Sequence, residues 1–355
     1  MTRSAFVLPA ALVTMTVSGE LRFPDYVAWF GAQEGCLPKT SQVEPVYATE
    51  DLQLLLKQVA DQAGVVVFSV FVSTGDLKEE KRFASLLTHW MCRTRSVVGQ
   101  SFLVFVDSAR QAETWRSKYG VTPFFSSQWI QDSFSGLGNN EIEDSNYWRW
   151  VAMEAILRAG YSALYVDTDI LWLEDPRSML SALPFAGDFF GSADEYNARN
   201  GSIEWFDSAS LDIDLWRREA MQNDDESICC QGGIVPINAG ITFMRPRKAA
   251  INATKHFRER VLSGPCWGQA AMHWGLFELC GSSLSCDILN PLAFASSGPL
   301  ITALRRRPEE ISRPALIHLD EKAKQKLTKY FDKIYGLPEA CARTGDVGRE
   351  RTGEL

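Results

Sequence analysis

The stretch Ala163-Leu-Tyr-Val-Asp167-Thr-Asp169-Ile-Leu-Trp172 is an apolar run that leads into two carboxylates, one residue apart. Apolar runs of this length are typical of buried strands, and open α/β sheets bind ligands beyond the carboxyl ends of their strands. Two neighbouring carboxylates resist burial unless a cation or a set of hydrogen-bond donors compensates their charge. The stretch therefore predicts that Asp167 and Asp169 face a cleft and bind a divalent metal beside a diphosphate group.

A second pair of aspartates with the same spacing, Asp212-Ile-Asp214, has no apolar strand before it. It lies between Ser208-Ala-Ser210 and Leu215-Trp216-Arg217-Arg218, a context typical of a helix start, where acidic groups favour the positive end of the helix dipole. We interpret this pair as part of a helix cap. The preceding strand is what distinguishes the first pair from the second.

The composition is that of a folded protein with one large core or two ordinary ones, since 46% of the 355 residues are hydrophobic. The net charge of −8 and the lack of a Lys/Arg block with interleaved aromatic residues argue against a nucleic-acid partner. The eleven tryptophans suit either a packed core or the faces of sugar rings.

Apolar runs alternate with amphipathic segments along most of the chain. We predict strands at 65–72, 102–106, 163–166, 241–244 and 315–318, and helices at 83–91, 109–119, 148–156, 247–262 and 268–280. Residues 126–146 are predicted to form a loop, and residues 187–233 an irregular insertion that could meet a second substrate. This alternation is typical of βαβ units.

The amino terminus is uncharged from Ser4 to Ser18 after a single early arginine, Arg3, which predicts a signal peptide or short signal anchor, with a buried helix as the alternative. Two glycosylation sequons, at Asn200 and Asn252, agree with a secretory route. The predicted organisation is a signal segment at 1–19, a variable region at 20–62, one catalytic domain at 63–340 and a flexible tail at 341–355.

The eight cysteines are an even number. Cys266, Cys280 and Cys286 lie close enough in sequence for a disulfide bridge to form under oxidising conditions. No Cys-x-x-Cys pair or histidine cluster suggests zinc.

Three segments follow one another in a characteristic order: the Asp167 strand, Ile237-Asn238-Ala-Gly240-Ile-Thr-Phe-Met-Arg245-Pro246, and the helix start Gly268-Gln269. In these segments the chain resembles the nucleotide-diphospho-sugar transferases of the plant cell-wall type, which include xylosyl- and arabinosyltransferases of pectin and extensin. The likeness covers about 65–336 and depends most on the segment from Gly160 to Pro176.

The resemblance implies a GT-A fold, a single Rossmann-like α/β domain with a central, mostly parallel sheet flanked by helices. It also implies a glycosyltransferase that uses Mn²⁺ or Mg²⁺ and moves a sugar from a nucleotide diphosphate donor to a glycan or glycoprotein acceptor with retention of configuration. By the same resemblance Asp169 binds the metal, Asp167 binds the metal or the donor ribose, and His318 is a third metal ligand. A core histidine is the alternative for His318.

The resemblance further assigns Arg149, Asn238, Gly240 and Gln269 to donor binding. An amide can hydrogen-bond sugar hydroxyls and a glycine lets the backbone approach a ligand, although a strand-entry turn would also explain the Asn-x-Gly spacing. Stacking on a neighbouring aromatic ring is the alternative for Arg149.

The chain departs from the family pattern at the later helix start, where the family commonly has Asp-Gln followed by Asn, and this chain has Gly268-Gln269 followed by His273. No acidic nucleophile can be assigned, so the catalytic residue is left open.

Two other functions are alternatives to this one. A phosphatase of the haloacid dehalogenase type requires Thr or Val two residues after its second aspartate, where this chain has Leu171. A catalytically silent sugar-nucleotide or glycan-binding protein on the same fold remains the alternative, since fold does not fix function. We expect a Golgi or secretory-pathway protein, with membrane association and type II topology if the segment from Ser4 to Ser18 is an anchor.

Overall fold

The computed structural model describes residues 43–72, 90–134, 145–181, 183, 187–193, 237–263, 268–289, 293–306, 313–319 and 324–335. The helices are α1 Glu50–Val59, α2 at 90–98, α3 Ala109–Thr114 with a π-helical turn at Trp115–Tyr119, α4 Ser127–Ser133, α5 Ser145–Arg158, α6 Arg177–Ser181, α7 Lys248–Ser263, α8 Gly268–Leu279, α9 Ser297–Arg306 and α10 Lys324–Ile334. The strands are β1 Val65–Phe71, β2 Leu103–Val106, β3 Thr122–Phe124, β4 Ser162–Val166, β5 Ile170–Trp172, β6 Phe189–Ala193, β7 Ile237–Met244, β8 Cys286–Ile288, β9 Phe294–Ser296 and β10 Leu316–His318.

Seven strands form the central sheet in the order β3-β2-β1-β4-β7-β6-β8. The pairs β3/β2, β2/β1, β1/β4 and β6/β8 are parallel, whereas β7 runs antiparallel to both of its neighbours. Successive side chains of a strand point to opposite faces, and on β1 Val66 and Phe68 enter one apolar cluster while Val65 and Val67 enter another. The predicted α/β fold with a mostly parallel sheet flanked by helices is confirmed.

Each face of the sheet is covered by helices. The first cluster contains side chains of α1, α5, α7 and α8, and the second contains side chains of α2, α3 and the β5 segment. Among the side chains that the structure describes, six tryptophans are buried in these layers, as expected for core residues: Trp90, Trp115, Trp129, Trp148, Trp150 and Trp172.

A smaller sheet holds the strand order β5-β10-β9, with β10 antiparallel to β5 and parallel to β9. Its β5 begins three residues after Asp167, so the chain passes from the central sheet into the smaller one through the Asp-Thr-Asp segment. The smaller sheet therefore brings the end of β10 against the end of β4.

Helix α5 is buried on all sides rather than along a single face, which corrects the predicted amphipathic stripe. Every residue from Tyr147 to Leu157 is buried, including the charged Arg149 and Glu154. The reason is that α5 lies between the sheet and α7, while residues around Val46 cover its remaining side and donate a backbone N–H to the Glu154 carboxylate at 3.4 Å.

Glu154 is the negative charge that balances two arginines in this buried layer. Its carboxylate receives Arg258 Nη2 at 2.6 Å and Arg158 Nε at 2.7 Å, and Arg258 also donates to the carbonyl oxygen of Glu44 at 2.8 Å. Neither Glu154 nor Arg258 has more than 1% of its side chain exposed. Through Glu44 and Val46, this network joins the segment before α1 to the core.

Glu154→Gln is expected to lower the free energy of unfolding by about 3–5 kcal/mol, because it leaves the Arg258 guanidinium buried without its counter-charge. Urea denaturation measures the loss. Glu113→Gln is the matched control, since Glu113 is 69% exposed and pairs with an exposed Arg116, and its cost should stay below about 1 kcal/mol. Equal stability of the Glu154 variant and the wild type would contradict the assignment of Glu154 as the counter-charge.

Two predictions about loops are wrong. Residues 127–133 of the predicted loop form α4, because Ser126 caps its start by accepting the backbone N–H of Trp129 and the Trp129 side chain is buried. Residues 189–193 of the predicted insertion form β6, a strand of the central sheet, because Phe189 and Phe190 pack into the two opposite clusters. The rest of that insertion, at 194–233, lies outside the described residues, as does the second aspartate pair.

The predicted cysteine bridge is present between Cys280 and Cys286. It ties the end of α8 to β8 at the edge of the central sheet. None of the helices in the described ranges is long and apolar enough to cross a membrane. The apolar segment from Ser4 to Ser18 lies outside those ranges.

Candidate metal and donor site

The carboxyl end of β4 and the amino-terminal half of β7 meet at one edge of the central sheet. The two strands are antiparallel, and Val166 lies opposite Ile241. The residue that follows β4, Asp167, therefore lies beside Gly240. The backbone N–H of Asp167 donates to the carbonyl oxygen of Gly240 at 2.8 Å. The antiparallel pairing of β4 with β7 therefore brings Asp167 close to Asn238 and Gly240.

The smaller sheet brings His318 to the same place. His318 pairs with Ile170 in the antiparallel β5/β10 ladder, and the backbone N–H of Leu319 donates to the carbonyl oxygen of Asp169 at 3.3 Å. As a result His318 Nε2 lies 3.3 Å from Asp169 Oδ1. The side chain is near a carboxylate at the sheet edge and is 18% exposed.

Asp167, Asp169 and His318 form a group that could hold a metal ion, since one ligand atom from each lies within 4.8 Å of the others. Ligands on opposite sides of a Mg²⁺ ion are about 4.2 Å apart, because each metal–oxygen distance is about 2.1 Å. The two carboxylates are hard oxygen ligands that suit divalent cations such as Mg²⁺ and Mn²⁺, and the imidazole is a common ligand of transition metals. The three side chains are partly exposed, so an ion can reach them.

Gly240 lies at the centre of this group. A methyl group on its Cα would be 2.8 Å from Asp167 Oδ2, 2.8 Å from Asn238 Oδ1 and 2.9 Å from His318 Nε2. The space that a side chain would fill is thus bordered by three polar atoms from three segments of the chain. The absence of a side chain at Gly240 lets these polar atoms approach one another, and their chemistry fits a cation bound nearby.

Asn238 lies within β7, and its amide oxygen accepts the backbone N–H of Gly240 at 2.6 Å. The position is a strand rather than the alternative strand-entry turn. The side chain is 8% exposed. Its amide oxygen accepts this local hydrogen bond, and its amide NH₂ group is the part of the side chain that can donate to a ligand.

Arg149 lies on α5 and is 5% exposed. Its guanidinium lies over the Tyr165 ring at 4.3 Å and near the Trp150 ring at 5.9 Å, so the stacking alternative describes its contacts. It also donates to the carbonyl oxygen of Ala239 at 2.9 Å, and Nη2 lies 3.6 Å from Asp167 Oδ1. Its role in donor binding stays a prediction.

Tyr165 is a member of the site that the sequence analysis did not single out. Its hydroxyl donates to Asp167 Oδ1 at 2.5 Å. Burial raises the pKa of Tyr165 well above its usual value, the Asp167 carboxylate adds to that rise, and Arg149 opposes it. The hydroxyl therefore stays protonated as a donor. The available signal was its position two residues before Asp167, on the same face of a strand.

Gln269 is the second residue of α8. Its side chain and that of His273 lie outside the described side chains, so the donor-binding prediction for Gln269 is untested.

Several solved structures are similar to this chain. The apo structure of the bifunctional glycosyltransferase WbbM matches with 14% identity and a TM-score of 0.45 over 73% of this chain, and the match covers 46% of the WbbM chain. The galactosyltransferase LgtC, in complex with donor and acceptor sugar analogs, matches with 14% identity and a TM-score of 0.42, over 78% of this chain and 99% of its own. Apo mouse xyloside xylosyltransferase 1 matches with 11% identity and a TM-score of 0.39, over 72% and 97%.

All three TM-scores are below 0.5, so the fold class rests on the strand order described above. No curated protein sequence matches the chain at a significant level. The family model of the nucleotide-diphospho-sugar transferases matches residues 141–331, which is more than half of the chain. The matched range includes Asp167, Asp169, Asn238, Gly240 and His318. The chain therefore belongs to the nucleotide-diphospho-sugar transferase family.

Proposed function

We propose that this protein is a metal-dependent glycosyltransferase that moves a sugar from a nucleotide diphosphate donor to a glycan or glycoprotein acceptor with retention of configuration. A UDP-sugar is the favoured donor. The observation that carries the proposal is the Asp167, Asp169 and His318 group beside Gly240, in a chain of the nucleotide-diphospho-sugar transferase family.

In this proposal, some side chains bind the metal and another binds the donor sugar. Asp167, Asp169 and His318 hold Mn²⁺ or Mg²⁺, and Gly240 leaves the room for it. The bound ion would neutralise the negative charge that develops on the departing diphosphate. Asn238 turns its amide N–H group to the hydroxyls of the donor, because its amide oxygen is held by the backbone of Gly240.

The finer assignments are also proposals. The segment from Gly160 to Pro176 resembles the plant cell-wall xylosyl- and arabinosyltransferases, which favours a pentose or hexose as the transferred sugar. The disulfide between Cys280 and Cys286 supports an oxidising compartment, and we place the protein in the Golgi or secretory-pathway lumen. The segment from Ser4 to Ser18 would attach it to the membrane with type II topology if it is not cleaved.

A catalytically silent donor-binding protein is the second candidate. The observation that favours it is Gly268, because the family commonly has a carboxylate at this helix start. Loss of that carboxylate would remove a group that orients the donor sugar, without preventing the nucleotide from binding.

A donor screen separates the two candidates. The purified protein is incubated with a panel of UDP- and GDP-sugars, with Mn²⁺ or with a chelator, and release of the nucleotide is measured. We expect release from one or a few UDP-sugars in Mn²⁺ and its loss in chelator. Binding of a sugar nucleotide without release or transfer, across a set of glycan acceptors, would favour the silent protein. Equal release in chelator would contradict the role of the metal.

A further inference from the structure

The two oxygens of the Asp167 carboxylate have different surroundings. Oδ1 receives the Tyr165 hydroxyl at 2.5 Å and faces Arg149 Nη2 at 3.6 Å. Oδ2 borders the space at Gly240, where a methyl group would lie 2.8 Å from it. Oδ1 is therefore held from the core side, while Oδ2 lies beside His318 and Asn238, whose nearest atoms border the same space.

The Tyr165 hydroxyl has a fixed position. The side chain is 3% exposed, and its ring packs edge-on against Phe68 at 5.4 Å within the first core cluster. The strand that carries it is central in the sheet, between β1 and β7. A buried ring on an inner strand can move little, so the hydroxyl sets the direction of whatever it bonds.

Arg149 is fixed as firmly. Its Nη1 donates to the carbonyl oxygen of Ala239 at 2.9 Å, and its Nη2 donates to Asn146 Oδ1 at 3.2 Å. The guanidinium lies over the Tyr165 ring, with Cζ 4.3 Å from the ring centre. The guanidinium and the hydroxyl thus approach the same oxygen of Asp167 from two rigid elements, α5 and β4.

We propose that Tyr165, supported by Arg149, is a positioning residue that holds Asp167 Oδ1 and so presents Oδ2 to the metal. This role rests on the proposed function. Groups that hydrogen-bond a metal ligand fix its orientation, and their loss typically costs about 10–100-fold in metal affinity. Without the hydroxyl, Asp167 would rotate among several positions, and each metal-binding event would have to select one of them.

Tyr165→Phe tests the role, since it removes the hydroxyl and keeps the ring on which Arg149 stacks. The dissociation constant of Mn²⁺ is measured by calorimetry, and the Mn²⁺ midpoint of turnover is measured separately. We expect Mn²⁺ affinity to fall about tenfold, and saturating Mn²⁺ to restore kcat to near the wild-type value. Tyr161→Phe is the matched control: Tyr161 precedes the same strand and packs against the same core cluster, and its removal should leave Mn²⁺ affinity unchanged.

A double-mutant cycle separates positioning from a general loss of structure. In an Asp167→Ala background, Tyr165→Phe should have no further effect on Mn²⁺ affinity, because the carboxylate on which it acts is gone. An equal loss in both backgrounds would overturn the role, as would unchanged affinity in the single variant. A wild-type protein that binds no Mn²⁺ would instead contradict the proposed function itself, whereas wild-type binding with an unaffected Tyr165 variant contradicts only the positioning role.

Discussion

Replacing Asp169 with asparagine is expected to lower kcat/KM for nucleotide-sugar turnover about a thousandfold, which corresponds to about 4 kcal/mol of transition-state stabilisation. The Asp169 side chain is 16% exposed and its Oδ1 faces His318 Nε2 at 3.3 Å. Asparagine keeps the shape of the side chain but removes the negative charge that a divalent ion needs. The rate of nucleotide release across a range of Mn²⁺ concentrations measures the effect.

Asp51→Asn is the control for this change, because it makes the same substitution at an exposed position in the first turn of α1. Its turnover should equal that of the wild type. Thermal unfolding of both variants without metal should stay close to the wild-type transition. Wild-type turnover in the Asp169 variant would remove Asp169 from the metal site. A parallel loss in the Asp51 variant would show that the assay reports folding rather than metal binding.

The central part of the fold could be predicted because its signals are local. Strands β1, β2 and β4 are continuous apolar runs, and α5 and α7 show helical spacing, so their order along the chain predicts a mostly parallel sheet. Asp167 could be predicted for the same reason. The apolar run of β4 ends at this residue, so the sequence itself places the carboxylate at the carboxyl end of the strand. These elements agree with the structure within a few residues.

The neighbours of the aspartates depend on contacts between distant segments, which periodicity does not report. His318 was placed at a strand end by pattern and resemblance, but its contact with Asp169 follows from the antiparallel pairing of β10 with β5, a three-residue strand that the pattern did not separate from β4. Strand β6 was missed because five residues in a polar region carry too short a pattern. Pairing with β7 is what makes it a strand.

Helix α4 and Tyr165 are different cases, since both had a local signal. Ser126 precedes α4 and caps it, which is a sequence-readable helix start, but the seven-residue helix is too short to show a clear stripe. Tyr165 shares a strand face with Asp167, yet a tyrosine in an apolar run is usually a core residue. In Tyr165 the ring is in the core and the hydroxyl is in the site, so one side chain serves both.

Gly240→Ala is expected to reduce metal-dependent turnover strongly at limiting Mn²⁺, while changing the free energy of unfolding little. The added methyl group would lie within 3 Å of Asp167 Oδ2, Asn238 Oδ1 and His318 Nε2. All three atoms are ends of side chains rather than backbone, so the methyl group would displace the two ligand side chains and the Asn238 amide before it displaced the β7 backbone. Glycine within a strand also costs about 0.5–1 kcal/mol relative to alanine. Mn²⁺ affinity should fall at least about tenfold, as measured by calorimetry beside urea denaturation.

Gly275→Ala is the opposite case and therefore the best control. A methyl group there would lie 2.4 Å from Cδ1 of Phe257, whose ring is fully buried against Trp150. Overpacking of a rigid core lowers the free energy of unfolding by about 1–3 kcal/mol. The higher helix propensity of alanine offsets up to about 1 kcal/mol of this loss. This variant should lose stability and keep its Mn²⁺ affinity. A Gly240 variant that loses stability but binds Mn²⁺ normally would mean that Gly240 is needed for packing. A glycine needed for the metal site should instead lose Mn²⁺ affinity with little change in stability.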